Sequence, residues 1–167
     1  MSDLDIVALV LQEHQAIRRT FSSLESIQGT DALAKEWQEL ADRLEVHASA
    51  EESMLYPKLL RVGDDDHAET DDAIRDHNDI RDTAHAVADH EVGTDAWWDA
   101  VRACQESNEH HLDEEERDVL PELKEKTDQA ALDELGVQWL AFHEEHESAK
   151  GLSGEDKDPE AYIEQNT

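Results

Sequence analysis

Apolar residues in this chain recur at steps of three, four and seven, the spacing that lines one face of an α-helix. Val7, Val10, Ile17, Phe21 and Leu24 form one such seam and predict a helix over residues 3–27. Gly29-Thr30-Asp31 stops it and caps the next. That second helix, about 32–60, turns Trp37, Leu40, Leu44 and Leu55 inward, with Pro57 bending or tightening its end. After a turn at Gly63-Asp64-Asp65-Asp66, a third helix over 68–90 carries Ile74, Ile80, Ala84 and Val87. Gly93-Thr94-Asp95 repeats the stop-and-cap signal, and a fourth helix over 96–126 carries Trp97, Val101, Cys104, Val119 and Leu123. Long helices with short connections predict an all-α, up-down-up-down four-helix bundle over residues 1–127. An additional short C-terminal helix lies in 128–150, with Leu132, Leu135, Trp139 and Phe142 packed on the bundle. Residues 151–167 read as a flexible polar tail.

Composition narrows what such a bundle can do. A formal net charge of −30 argues against nucleic acid and anionic membrane as partners, since both need basic patches. Regular apolar spacing argues against disorder, so the acid belongs to a solvated surface around a folded core. A single cysteine, Cys104, allows no intramolecular disulfide and no thiolate zinc site; it reads as a small core residue in a reducing, cytoplasmic protein. The N-terminus has no positive region, and the apolar run from Ile6 to Leu11 is too short for a signal or a membrane span. The aspartate-rich turn lacks the glycine and closing glutamate that a calcium loop requires.

Each seam carries a polar intruder. His14 lies between Val10 and Ile17, and His77 between Ile74 and Ile80. His47 follows Leu44 by three and is followed after four by Glu51; His111 follows Cys104 by seven and is followed after four by Glu115. A four-residue step keeps both side chains on one face. His14 stands about 15 residues before the first turn and His47 about 18 after it, a depth difference of about one helical turn at about 1.5 Å per residue. The other pairs match as closely, so all four histidines can share a layer. The segment from His47 to Pro57 also matches that from His111 to Pro121, with histidine, glutamate pair and proline in the same places. No lysine or arginine stands on the seams nearby, so two inward carboxylates call for bound cations.

A mixed His/Glu set without thiolate fits iron best, with manganese or zinc as alternatives. The ferritin-like pattern, Glu-x-x-His on two helices, has the opposite order and spacing. In its motifs Glu13-His14, His47-x-x-x-Glu51, Asp76-His77-Asn78 and His111-x-x-x-Glu115, the sequence resembles the hemerythrin-like, HHE cation-binding family. The resemblance covers about residues 3–127. It implies a non-heme di-iron centre with metal ligands His14, His47, Glu51, His77, His111 and Glu115. His14 and His47 would hold one iron, His77 and His111 the other, with both glutamates and a solvent-derived oxygen as bridges.

One departure stands out. The oxygen-carrying members have an extra histidine one turn before the third-helix ligand, where this chain has Ala73. That favours reaction with dioxygen, nitric oxide or peroxide over simple reversible oxygen carriage; as an enzyme it would be an oxidoreductase that reduces peroxide or oxygen. His85, inward by periodicity, and Tyr56, five past Glu51, are candidates for an extra ligand. His67, His90, His110, His143 and His146 read as surface residues. From a different class, the alternative is an iron-binding sensor or storage module in which metal mainly controls folding.

Overall fold

The computed structural model describes residues 2–64 and 67–167; Asp65 and Asp66 of the expected turn lie outside them. The bundle consists of α1 (Ile6–Ser23), α2 (Thr30–Ala50) continued by α3 (Tyr56–Val62), α4 (Ala68–Val87), and α5 (Asp95–Glu114) continued by α6 (Leu120–Lys126). Outside it follow α7 (Gln129–Glu145) and α8 (Pro159–Asn166). Among the described residues there is no strand, and no helix is long and apolar enough to cross a membrane.

Helix starts follow the caps written in the sequence. The side chains of Asp5, Thr94, Asp128 and Asp158 accept from Val7, Trp97, Ala131 and Ala161 backbone N–H groups, which intrahelical bonding leaves unpaired. Gly29, at φ 90°, opens α2 with a backbone turn alone.

Two apolar cores sit at opposite ends of the bundle. One contains Ile6, Val7 and Val10 of α1, Leu59 of α3, Ala73 and Ile74 of α4 and Leu123 of α6. The other contains Ile17 and Phe21 of α1, Trp37 and Leu44 of α2, Ile80 and Val87 of α4, and Trp97 and Val101 of α5. The early residues of α1 and α4 and the late residues of the other two long helices share one end, so direction alternates up, down, up, down. The buried histidines and glutamates occupy the layer between the cores.

α7 lies against α1, and its Gly136 is there because of that approach: a Cβ would come within 1.5 Å of the Leu4 carbonyl oxygen. A turn with Ser148 and Ala149 at φ 56° and 61° then leads the chain back across α2.

The expected loose tail is instead part of the body. Asn78 of α4 donates to the Lys157 carbonyl (2.7 Å) and accepts from its N–H (2.8 Å), α8 packs on α3 and α4, and Tyr162 and Ile163 are buried. Short polar spacing hid this, because α8 presents only a two-residue apolar face. If α8 carries stability, Ile163→Ala should cost about 2–5 kcal/mol and Tyr162→Phe about 1–3 kcal/mol in urea unfolding. The exposed Gln165→Ala should stay within about 0.5 kcal/mol, and equal, negligible effects at all three positions would show α8 to be dispensable.

Candidate metal centre

The repeated segment makes an unusual helix. Where α2 meets α3, residues Glu51–Leu55 form a π turn, and Tyr56 N–H bonds the Glu51 carbonyl, five residues back. Glu115–Val119 does the same between α5 and α6, with Leu120 N–H on the Glu115 carbonyl. Pro57 and Pro121 explain the widening, since each ring would clash with the carbonyl four residues before it. The helices therefore continue past the prolines, as the expected spans to residues 60 and 126 require. The extra residue in the turn swings Tyr56 back onto the face that carries Glu51, which regular 3.6-residue spacing does not foresee. It also leaves the Glu52 carbonyl without a backbone donor, because residue 57 has no N–H, and the Tyr162 hydroxyl donates to it instead.

All six predicted side chains meet in the layer between the cores. His14, Glu51, His77 and Glu115 are 0% exposed, and His47 and His111 are 3% and 2%. They form two overlapping groups, His14/His47/Glu51/Glu115 and Glu51/His77/His111, with candidate ligand atoms within 4.8 Å of one another in each. Each carboxylate divides its oxygens between the groups. Glu51 Oε1 lies 2.9 Å from His47 Nε2 and Oε2 lies 3.0 Å from His77 Nε2. Glu115 Oε2 lies 3.1 Å from His14 Nε2 and Oε1 lies 3.5 Å from His111 Nε2.

The donor set fits cations better than it fits itself. His14 Nε2, His47 Nε2, Glu51 Oε1 and Glu115 Oε2 are buried without a hydrogen-bond partner, and all four face the first group. In the second group His77 Nε2 and His111 Nε2 meet at 2.9 Å, where one proton can sit between them and a cation would take both lone pairs. Each orphan would cost about 1–3 kcal/mol if nothing filled the space between them. A cation satisfies lone pairs and carboxylates together.

Outside this layer stands a second ring of carboxylates, one for each imidazole. Glu116 accepts from His14 Nδ1 (2.9 Å) and Glu52 from His77 Nδ1 (2.8 Å). Glu13 lies 3.3 Å from His47 Nδ1 and Asp76 3.5 Å from His111 Nδ1. A carboxylate only accepts, so Nδ1 turns a proton toward it and Nε2 is the nitrogen left to offer a lone pair when a cation binds. The ring repeats the internal duplication: the residue before each lone histidine serves one partner helix, and the residue after each inner glutamate serves the other.

Burial would raise the Glu13 carboxyl, but hydrogen bonds with His143 and His47 outweigh it and bring it down to about 2. Burial would likewise discharge His111, yet Glu115, Asp76 and Glu51 raise it to about 10. His14 and His47 are raised in the same way against their own desolvation, by Glu115 and Glu51 respectively before other neighbours. Burial, then Glu115 and Glu51, hold the Tyr56 phenol protonated far above its usual range.

Several sequence readings change here. Glu52, about 100° off the inward face by spacing, is buried; Arg81, Lys157 and His77 all contact its carboxylate. Arg81, 3% exposed, is a buried cation that the seam pattern missed; it lies a four-residue step beyond His77 and also pairs with Glu45. His85 is exposed and outside both groups, so it is no ligand. Tyr56 is fully buried and donates to Glu115 Oε1 at 2.5 Å, a protonated donor rather than a phenolate. His143 is half-buried and bonds Glu13 at 2.8 Å, while Trp139 stacks edge-on against His47 at 5.5 Å. His67, His90 and His110 are exposed, as expected. Burial pushes the Cys104 thiol up to about 12, as suits a packing residue.

The outer carboxylates were visible as the acid pairs Glu51-Glu52 and Glu115-Glu116 and as Glu13-His14 and Asp76-His77. Only the paired helices gave them roles. No curated protein and no solved structure matches the chain significantly. The sequence model described as "Hemerythrin HHE cation binding domain" matches residues 5–123, which take in both halves of the duplication and every residue of the two buried groups. With the bundle, the buried His/Glu layer and that match, this chain belongs to the hemerythrin HHE cation-binding family.

Proposed function

We propose that the centre holds two iron ions, with His14 and His47 on one, His77 and His111 on the other, and Glu51 and Glu115 bridging. We further propose that it binds or reacts with dioxygen, nitric oxide or peroxide. The observation that carries this reading is the division of each carboxylate between the two histidine pairs, one oxygen to each. Manganese or zinc would suit the same donors; iron held by imidazole and carboxylate with open positions is well suited to dioxygen chemistry. Bound ferrous iron would supply electrons and open coordination positions.

The protein's own residues do the rest. Outer carboxylates fix the tautomer and orientation of the imidazoles. The Tyr56 hydroxyl keeps its proton and donates it to Glu115 Oε1, restraining that carboxylate and leaving a hydrogen-bond donor beside the centre. Apolar cores on both sides keep bulk water out. Ala73, where an oxygen carrier has a histidine, instead lines a cavity of about 200 Å³ with Tyr56, Asp76, His111 and Glu115. That cavity would give a diatomic molecule or peroxide a way to the His77/His111 side. As an enzyme, the chain would be a peroxide- or oxygen-reducing oxidoreductase.

A regulator in which metal mainly controls folding is supported by a specific observation too: the polar layer divides the apolar core into two. Removing metal leaves that layer frustrated in either case, so the discriminating result is turnover of oxygen or peroxide by the loaded protein against metal-dependent unfolding without turnover.

Anaerobic reconstitution should give about two iron ions per chain. Glu51→Gln should abolish tight binding at both positions. Glu52→Gln should keep the stoichiometry and weaken affinity by about 10–100-fold, as an outer partner does. Saturation at one ion, or equal effects at the two glutamates, would refute the bridging assignment.

Metal uptake should also release protons. His111, near 10 without metal, is charged at neutral pH, and metal needs its lone pair. Affinity should therefore rise as pH increases toward about 10 and fall on acidification. A pH-stat trace showing no proton release at pH 7 would contradict this.

Reduced protein exposed to oxygen should oxidise irreversibly within few cycles. Ala73→His should fill the cavity and slow that oxidation, and Tyr56→Phe should alter the optical spectrum without changing iron content. Stable, reversible oxygen binding by the unmodified chain in stopped-flow spectroscopy would sink the reading.

A further inference from the structure

The ring of outer carboxylates is duplicated in sequence but not in surroundings. Glu116 is held by Arg18, whose Nη1 donates at 2.7 Å. Glu52 is held by Arg81 at 3.0 Å and by Lys157. Glu13 is held by His143 at 2.8 Å. Asp76, the fourth, has no basic group within ion-pair distance besides His111, at 3.5 Å, among the described residues, and its Oδ2 is buried without a hydrogen-bond partner. Three positions are closed by a basic group on their outer side; the fourth is open.

What stands outside Asp76 is a second ligand set. Asp76, His110 and Glu114 bring one candidate ligand atom each within 4.8 Å of one another. His110 Nε2 is 3.4 Å from Glu114 Oε1, and His110 is exposed. Each member immediately precedes one of the inner residues His77, His111 and Glu115, so the outer set repeats the inner one a step toward solvent. Asp76 and Glu114 of the outer set and His111 and Glu115 of the inner one line the cavity of about 200 Å³ that reaches inward to Tyr56. The rim adds Asp72 and Asp118, and the one arginine there, Arg117, is turned onto Asp118 at 2.7 Å. Carboxylate with one imidazole is chemistry for a divalent cation held weakly and hydrated, and a cleft lined by one sign of charge concentrates the opposite ion.

We propose that Asp76, His110 and Glu114 form a third, weaker divalent-cation site, and that metal passes from it through this cavity to the buried centre. The site itself stands on its own residues; its role in loading rests on the two-metal reading above. Asp76 joins the two sets, since it belongs to the outer one and lies 3.5 Å from His111 Nδ1.

The test uses the full chain and two cations. Protein whose buried centre has been filled with zinc is titrated with manganese and followed by electron paramagnetic resonance. One further ion per chain is expected, lost in the double variant His110→Ala/Glu114→Gln and retained in His90→Ala, an exposed control in the connection between α4 and α5. In stopped-flow ferrous uptake at low salt, the same variant should load about tenfold more slowly but reach the same final iron content. An additional manganese ion absent from the unmodified protein, or retained by the double variant, overturns the site. Unchanged uptake overturns its role in loading. Failure of the buried centre to take any metal would count against the two-metal reading, and manganese bound to the unfilled chain at His110 and Glu114 would still be lost in the double variant.

Discussion

Two carboxylates lie fully buried at mid-height in a bundle of apolar seams, with four imidazoles against them. Ionised carboxylate is stable in such a place only if cations or good donors surround it. Around Glu51 and Glu115 the donors are histidines whose outward nitrogens are already committed to other acids. The arrangement is a set of electron pairs aimed at a shared space. Helix spacing, the widened turns before the prolines and the outer acid ring all follow from keeping those pairs aimed there.

The duplication explains how one chain builds such a site. Two copies of one lone histidine and one His-x-x-x-Glu, placed head to tail in alternating helices, give two half-sites. Each glutamate is shared because each lies on the line between them. The copies differ at their edges: besides Arg18 and Arg81 within the bundle, His143 of α7 and Lys157 just ahead of α8 add basic groups at the Glu13 and Glu52 corners. These additions lie mostly beyond residues 5–123, the span that the family shares.

The fold and the inner residues were legible because both rest on periodicity: seams recur every three or four residues, and a polar residue on a seam is conspicuous. Tyr56 was legible as a residue near the site but not in its role, because the π turn that swings it onto the Glu51 face, as a donor to Glu115, breaks the period. Arg81 and Glu52 were hidden because each satisfies the other, and a satisfied buried pair leaves no mark in an apolar pattern. α8 was hidden because its two apolar residues are too few to form a period. His85 reads as inward because it follows His77 by eight, but eight residues turn the helix about 80° past the buried face, and it is exposed.

The hydroxyl of Tyr162 on the Glu52 carbonyl closes a gap that Pro57 opens, across 110 residues of sequence. During synthesis, the four bundle helices are made well before that donor exists. The last helix is a latch made late: the Glu52 side of the centre gains its final donor only once nearly the whole chain is present.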